Sequence, residues 1–270
     1  MSRLGKLAHW SRLPGALALA GLCAAASASA DDAFSRARQR GALAVGLDHV
    51  ISAYAAGAKF RTPESPDTAL AQDLAQRLQV ALRAVPAGHA PLPAPDGADV
   101  VLAMTDAAAP HGTAIVPTGY AAGPMAIMRT DTDIKHWRQL KGRTVCLSEG
   151  GRYAGTIAAR YGAREKIFKA PADALLALRT GECDAAVHDS ALLEELLKLP
   201  EWKKFSATLP AASRTALAFV VPARDIQAAA VLKQVAQQWQ ATGYLQQLLQ
   251  KSARSIAFEV YLDQDVPDCH

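Results

Sequence analysis

The sequence predicts an α/β protein of doubly wound, mainly parallel sheets arranged as two lobes, and three observations carry that prediction. Short apolar runs of strand length (42–47, 99–104, 144–147 and the run ending at Asp189) alternate with amphipathic helical stretches, the pattern of crossover-connected parallel strands. A β-α-β start occurs twice, at Leu43 and at Val145, each followed by a helix and another strand, which implies two lobes. Extended segments near 121–128 and 216–222 are placed to carry the chain across and back as a hinge. The expected division is 1–30 as a removable segment, 31–122 with 220–270 as one lobe, and 123–219 as the other.

Residues 1–30 read as a targeting segment. Arg3, Lys6 and Arg12 precede an apolar core over 13–26, and Ala28-Ser29-Ala30 supplies small residues at the cleavage position. Leu22 precedes Cys23 where a lipid-anchored protein carries a small residue, so a soluble periplasmic product cleaved near Ala30 is expected. No later stretch approaches the ~20 apolar residues of a membrane span, so no stable membrane insertion is expected. Removing 1–30 leaves 26 basic against 25 acidic side chains, so the formal charge falls from +4 to +1. No basic patch interleaved with aromatics remains, which argues against nucleic acid as a partner.

After this segment a short helix over 34–40 ends at Gly41, and a buried strand over 42–47 leads to Asp48. A loop with Tyr54, Phe60, Arg61, Pro63 and Pro66 follows. An amphipathic helix over 68–82 has Leu70, Leu74, Leu78 and Leu82 on one stripe. A weak strand at 83–85 and a proline-rich loop precede the strand over 99–104; beyond it, 105–120 reads as a loop of small residues. Residues 124–129 form a short strand and 133–140 a helical turn. Past Asp189, a helix over 191–197 stops at Pro200, a strand spans 216–221, and 227–249 is helical. The tail from Ser255 reads as irregular, with a short strand at 256–260.

The centre of the chain is 140–189. A strand over 144–147 leads to a polar turn, Gly150-Gly151-Arg152, which opens a helix; a second strand ends at Asp189. Parallel strands joined by a helical crossover put both ends on one sheet edge, where open α/β sheets bind ligands. Gly150, Gly151 and Arg152 should therefore share a cleft with Asp189, unless Asp189 simply caps the following helix. A helix start at Gly151–Arg152 would be an anion site by its free amides and dipole. His188 precedes Asp189 and is expected to be a core residue. Of the cysteines left after cleavage, Cys146 and Cys183 lie on neighbouring strands and either pair or remain buried thiols; Cys269 is left over.

The pieces 43–48 (LAVGLD), 69–78 (ALAQDLAQRL), 98–105 (ADVVLAMT), 139–155 (QLKGRTVCLSEGGRYAG), 174–193 and 216–225 resemble, in order and spacing, the family-3 extracellular solute-binding proteins. These are the periplasmic receptors of polar amino-acid ABC transporters. The resemblance implies a two-lobed periplasmic-binding-protein-like fold that closes on a small polar solute and a transporter permease as partner; the cysteine pair also resembles a disulfide of some members. It maps a ligand carboxylate to Gly151 and Arg152 and an α-amino group to Asp189. Asp48, Tyr54 and Phe60 would line the first-lobe side, with Met104 and Thr105 in place of the family's hydroxyl-rich segment. The arginine expected after the strand over 99–104 is missing, leaving Arg61, Arg129 and Arg152 as candidates. No GxSxG, GxxxxGK[ST] or HExxH motif is present, nor a CxxC pair, so no enzyme, cofactor or metal is expected. The rival reading is an accessory module of the same fold, such as a partner of a quinoprotein dehydrogenase.

Overall fold

The computed structural model describes residues 32–50, 59–87, 97–105 and 111–264. The targeting segment 1–30, Tyr54 and Cys269 lie outside the described residues. The chain begins α1 (Ala33–Arg40), β1 (Ala42–Leu47), α2 (Asp67–Arg77), β2 (Ala81–Pro86), β3 (Val100–Thr105), β4 (Thr113–Ala122) and β5 (Pro124–Met128). It continues β6 (Thr144–Ser148), α3 (Thr156–Tyr161), β7 (Arg164–Phe168), α4 (Pro171–Arg179), β8 (Ala185–Asp189) and α5 (Ser190–Leu196). It ends β9 (Ala207–Leu209), β10 (Thr215–Pro222), α6 (Ile226–Thr242) and α7 (Tyr244–Leu262).

These strands form two five-stranded sheets, ordered β2-β1-β3-β10-β4 and β7-β6-β8-β5-β9. Each is mainly parallel, and the strand that runs against the rest is β10 in one and β5 in the other. The chain leaves the first sheet at Gly123 and re-enters it at β10, so β10 belongs wholly to the first sheet. At the crossing, Gly123 comes so close to the return segment that a Cβ would run into the Ser213 carbonyl oxygen. Only glycine permits that approach.

Local chemistry explains the elements. Asp32 caps α1 by accepting from the N–H groups of Phe34 and Ser35, each at 2.8 Å. Gly41, at φ 70°, closes it. Each sheet buries its own core: Leu43, Leu47, Leu70, Leu74, Leu102, Phe219 and Trp239 in the first; Ile127, Leu175, Leu178, Leu192 and Trp202 in the second. Helix α7 serves both. Its first turns, through Leu245 and Leu249, pack on the first core, while Ala253, Ile256, Ala257 and Val260 enter the second.

Four sequence expectations are corrected. The helix expected over 68–82 ends at Arg77, because Gln79 takes φ 58° and Val80 N–H folds back to Ala75 O at 3.1 Å; Leu82 belongs to β2. The stretch over 105–120, expected as a loop, enters the ten-residue strand β4 at Thr113. Its Pro117 is tolerated because β4 is an edge strand and its register with β10 shifts there. The tail is not irregular: burial of Ala253, Ile256, Ala257 and Val260 at helical spacing overrides their β propensity. Finally, β7 and β9 add edge strands to the second sheet that the sequence reading lacked.

Cys146 and Cys183 are bonded, with Cα atoms 5.9 Å apart. The bridge ties β6 to the entry of β8, beneath the ends that carry the residues of interest. Its 37-residue loop corresponds to about 3–4 kcal/mol in the chain-entropy account. A double Cys→Ser variant at 146 and 183 should therefore melt roughly 6–15 °C below wild type, and an unchanged melting temperature would show that the bridge does not constrain the chain.

Candidate functional site

Parallel pairing of β6 and β8 puts the segment after β6 beside the end of β8, and there Arg152 meets Asp189, Nη1 to Oδ2 at 3.1 Å. Asp189 is buried and accepts two further hydrogen bonds, from the Tyr120 hydroxyl at 2.6 Å and the Tyr153 hydroxyl at 2.5 Å. It is not a cap: α5 starts at the next residue, but the Asp189 side chain makes no capping hydrogen bond. Tyr120 lies on β4, so this carboxylate joins the two sheets.

Arg152 also reaches the first sheet's side. Its Nη2 donates to Ser65 Oγ at 2.9 Å, and Asp48 and Asp67 lie 3.9 and 4.0 Å away. Its buried Nε makes no hydrogen bond among the described residues. Burial opposes the charge of this guanidinium, but Asp189, Asp67 and Asp48 outweigh it and raise the Arg152 pKa.

The expected helix-terminus anion site does not form. Helix α3 begins at Thr156, four residues past Arg152, and has only six residues. The Gly151 N–H is spent on Ser148 O at 3.0 Å. The glycines serve close approach instead: a Cβ at Gly150 would lie 3.0 Å from the His49 ring, and one at Gly151 would lie 2.7 Å from Glu64 Oε2.

Glu64 is the residue sequence reasoning missed. It lies on the connection between β1 and α2, yet its carboxylate is buried at the end of the second sheet. Oε1 accepts from Asp189 N–H at 2.9 Å; Oε2 accepts from the Ser148 hydroxyl and faces His188 Nδ1 at 3.0 Å. Its flanking Pro63 and Pro66 mark a rigid loop, but no periodicity pointed to it. His188, expected in the core, is indeed fully buried, and its ring turns Nδ1 to Glu64. Burial alone would push Glu64 up; the His188 ring, the Ser148 hydroxyl and the Asp189 amide outweigh it and hold the carboxyl below its ordinary value of 4.5. Asp189 is raised above 3.8, first by burial and then by the Glu64 charge, against the pull of Arg152 and the tyrosines.

The other candidates scatter. Asp48 flanks Arg152, whereas Phe60 is 68% exposed. Met104 and Thr105 end β3, and Met104 packs on the first core. Arg129 is exposed and pairs with Asp131 at 3.1 Å. Arg61 pairs with Asp173 at 2.8 Å and with Asp263. It lines a pocket of about 70 Å³ with His49, Glu64, Ser148, Gly150 and Lys169. No cluster of three or more His, Cys, Asp or Glu side chains among the described residues could hold a metal ion.

No protein-family model matches the sequence, and no curated protein matches it. Solved structures do. An amino acid ABC transporter substrate-binding protein from Streptococcus pneumoniae, bound to L-arginine, superposes with a TM-score of 0.54 at 16% identity, over 83% of this chain and 98% of the other. A mutant of ArgBP from T. maritima gives 0.52 at 21% identity, over 81% and 98%. An ancestral amino acid-binding protein, described as a precursor of cyclohexadienyl dehydratase, gives 0.51 at 19%, over 81% and 98%. The chain has the fold of these binding proteins. At such identities the likeness concerns the fold alone.

The two buried carboxyls should titrate with opposite effects on stability. The folded pKa of Glu64 is lowered, so its contribution is present above 4.5 and is lost as the pH falls through the folded value. That of Asp189 is raised, so its contribution is present below 3.8 and is lost as the pH rises through the folded value. In melting curves between about pH 3 and 7, Glu64→Gln should lose ground to wild type as the pH rises, whereas Asp189→Asn should gain on it. Slopes of the same sign for the two variants would contradict this assignment.

Proposed function

We propose that this chain is an exported solute-binding protein that takes a small polar, carboxylate-bearing solute of amino-acid type and hands it to an ABC transporter permease. The observation that carries this reading is the pairing of half-buried Arg152 with buried Asp189 at the edge where the two sheets meet. An arginine and an aspartate that neutralise each other in the closed cleft are complementary to a zwitterion, which would replace each partner with its own opposite charge. The buried Nε of Arg152 remains as a donor for a carboxylate, while Asp48 and Asp67 lie near enough to receive a cationic group. Lobe movement about the crossings at Gly123 and 210–214 would admit the solute, with the sheet of β1–β4 and β10 moving against that of β5–β9; the return crossing thus lies before β10, not at the 219/220 boundary expected from the sequence.

The fold likeness supports the receptor reading over an accessory module, and the bound L-arginine of one neighbour suggests the class of solute. We read the role as binding rather than turnover. The Cys146–Cys183 bridge supports an oxidising, periplasmic location after removal of residues 1–30. No helix among the described residues is long and apolar enough to cross a membrane.

A thermal-shift panel of amino acids and small carboxylates on the mature protein tests this. A true solute at 100 times its Kd adds about 2.7 kcal/mol, or roughly 5–11 °C, and Asp189→Asn should abolish the shift. A panel without response would overturn the receptor assignment.

A further inference from the structure

We propose that Glu64 acts as a tethered ligand: its carboxylate fills a carboxylate-binding seat on the second sheet, which a free carboxylate enters only by displacing it. This deepens the solute-receptor reading and rests on it only for the identity of the natural displacer; the seat itself is read from geometry.

Every group that holds the carboxylate belongs to the second sheet or its loops. The Ser148 hydroxyl at the end of β6 and the His188 ring of β8 serve one oxygen, and the Asp189 N–H at the end of β8 serves the other. All three residues are buried. Three convergent donors around a planar carboxylate satisfy it without using any atom of its own backbone. The lack of a side chain at Gly151 completes the seat, since a Cβ there would crowd Glu64 Oε2. Nothing in this arrangement requires the carboxylate to be covalently attached to the chain.

The loop that delivers Glu64 comes from the first sheet and is pinned to the second by separate contacts. Thr62 donates to Glu259 on α7 through both its amide and its hydroxyl, the latter at 2.6 Å. Arg61 pairs with Asp173 on α4 and with Asp263 just past α7. Ser65 accepts from Arg152. The tether therefore raises the local concentration of the carboxylate at its seat, and a free competitor must overcome that advantage. The adjoining pocket of about 70 Å³ has Glu64 in its wall. A free carboxylate that enters the seat needs Glu64 to withdraw.

The test removes the tethered carboxylate and supplies a free one. Glu64→Ala should melt on the order of 10 °C below wild type, because buried donors lose their acceptor. Sodium acetate should restore at least half of that loss in a saturable way, compared with sodium chloride at equal ionic strength, while wild type gains nothing. Adding Ser148→Ala should weaken the acetate response at least tenfold in concentration. If Glu64→Ala fails to fold, Glu64→Gln replaces it, retaining the volume without the charge, and should respond to acetate where wild type does not. A folded variant indifferent to acetate overturns the proposal, even if wild type binds an amino acid. Acetate rescue in a protein that binds no solute leaves the seat established and sinks only the receptor reading.

Discussion

A carboxylate taken out of water must find its hydrogen bonds nearby, and Glu64 finds all of its own on the opposite sheet. That requirement organises the mouth of the molecule. Gly151 must remain bare, the Asp189 N–H must leave the ladder free to donate, and Arg152 must neutralise Asp189 because two buried carboxylates lie close together. The opposite displacements of the Glu64 and Asp189 pKa values express this: the His188 ring, the Ser148 hydroxyl and the Asp189 amide hold Glu64 down against burial, while burial and the Glu64 charge raise Asp189.

The backbone makes such a junction possible by repetition. Each sheet has one reversed strand, and these two strands follow the crossings, so the parallel strand ends of both sheets meet at a shared cleft. Helix α7 packs into both cores, and Glu259 near its end holds the loop that carries Glu64. The closed arrangement is thus maintained by one helix, one pair of crossings and a group of buried charges. Of these, the charges are the part a solute could exchange.

Much of this was legible in the sequence, for reasons that differ by element. β1 is a continuously apolar run that follows Gly41, and β6 and β8 each carry a short apolar run, 145–147 and 185–187, so their placement was clear. Convergence of Arg152 and Asp189 followed from strand parallelism, although the helix start invoked to explain it lies four residues later. Strand β4 was hidden by Pro117 and Gly119, the end of α2 by a non-glycine residue at positive φ, and the course of α7 by its β-branched residues. Glu64 was illegible because its partners lie 84 to 125 residues away and belong to another sheet. Local pattern carries no trace of a contact set by the closing of two lobes.

The most direct measurement of this account is amide hydrogen exchange at Asp189 in the protein without added ligand. That N–H terminates β8 and donates to Glu64, so its protection reports whether the tethered carboxylate is in place. Protection comparable to that of Val187 within the strand, and lost in Glu64→Ala, is the expected result. Rapid exchange at Asp189 in wild type, with Val187 still protected, would mean that Glu64 does not occupy the second sheet in solution.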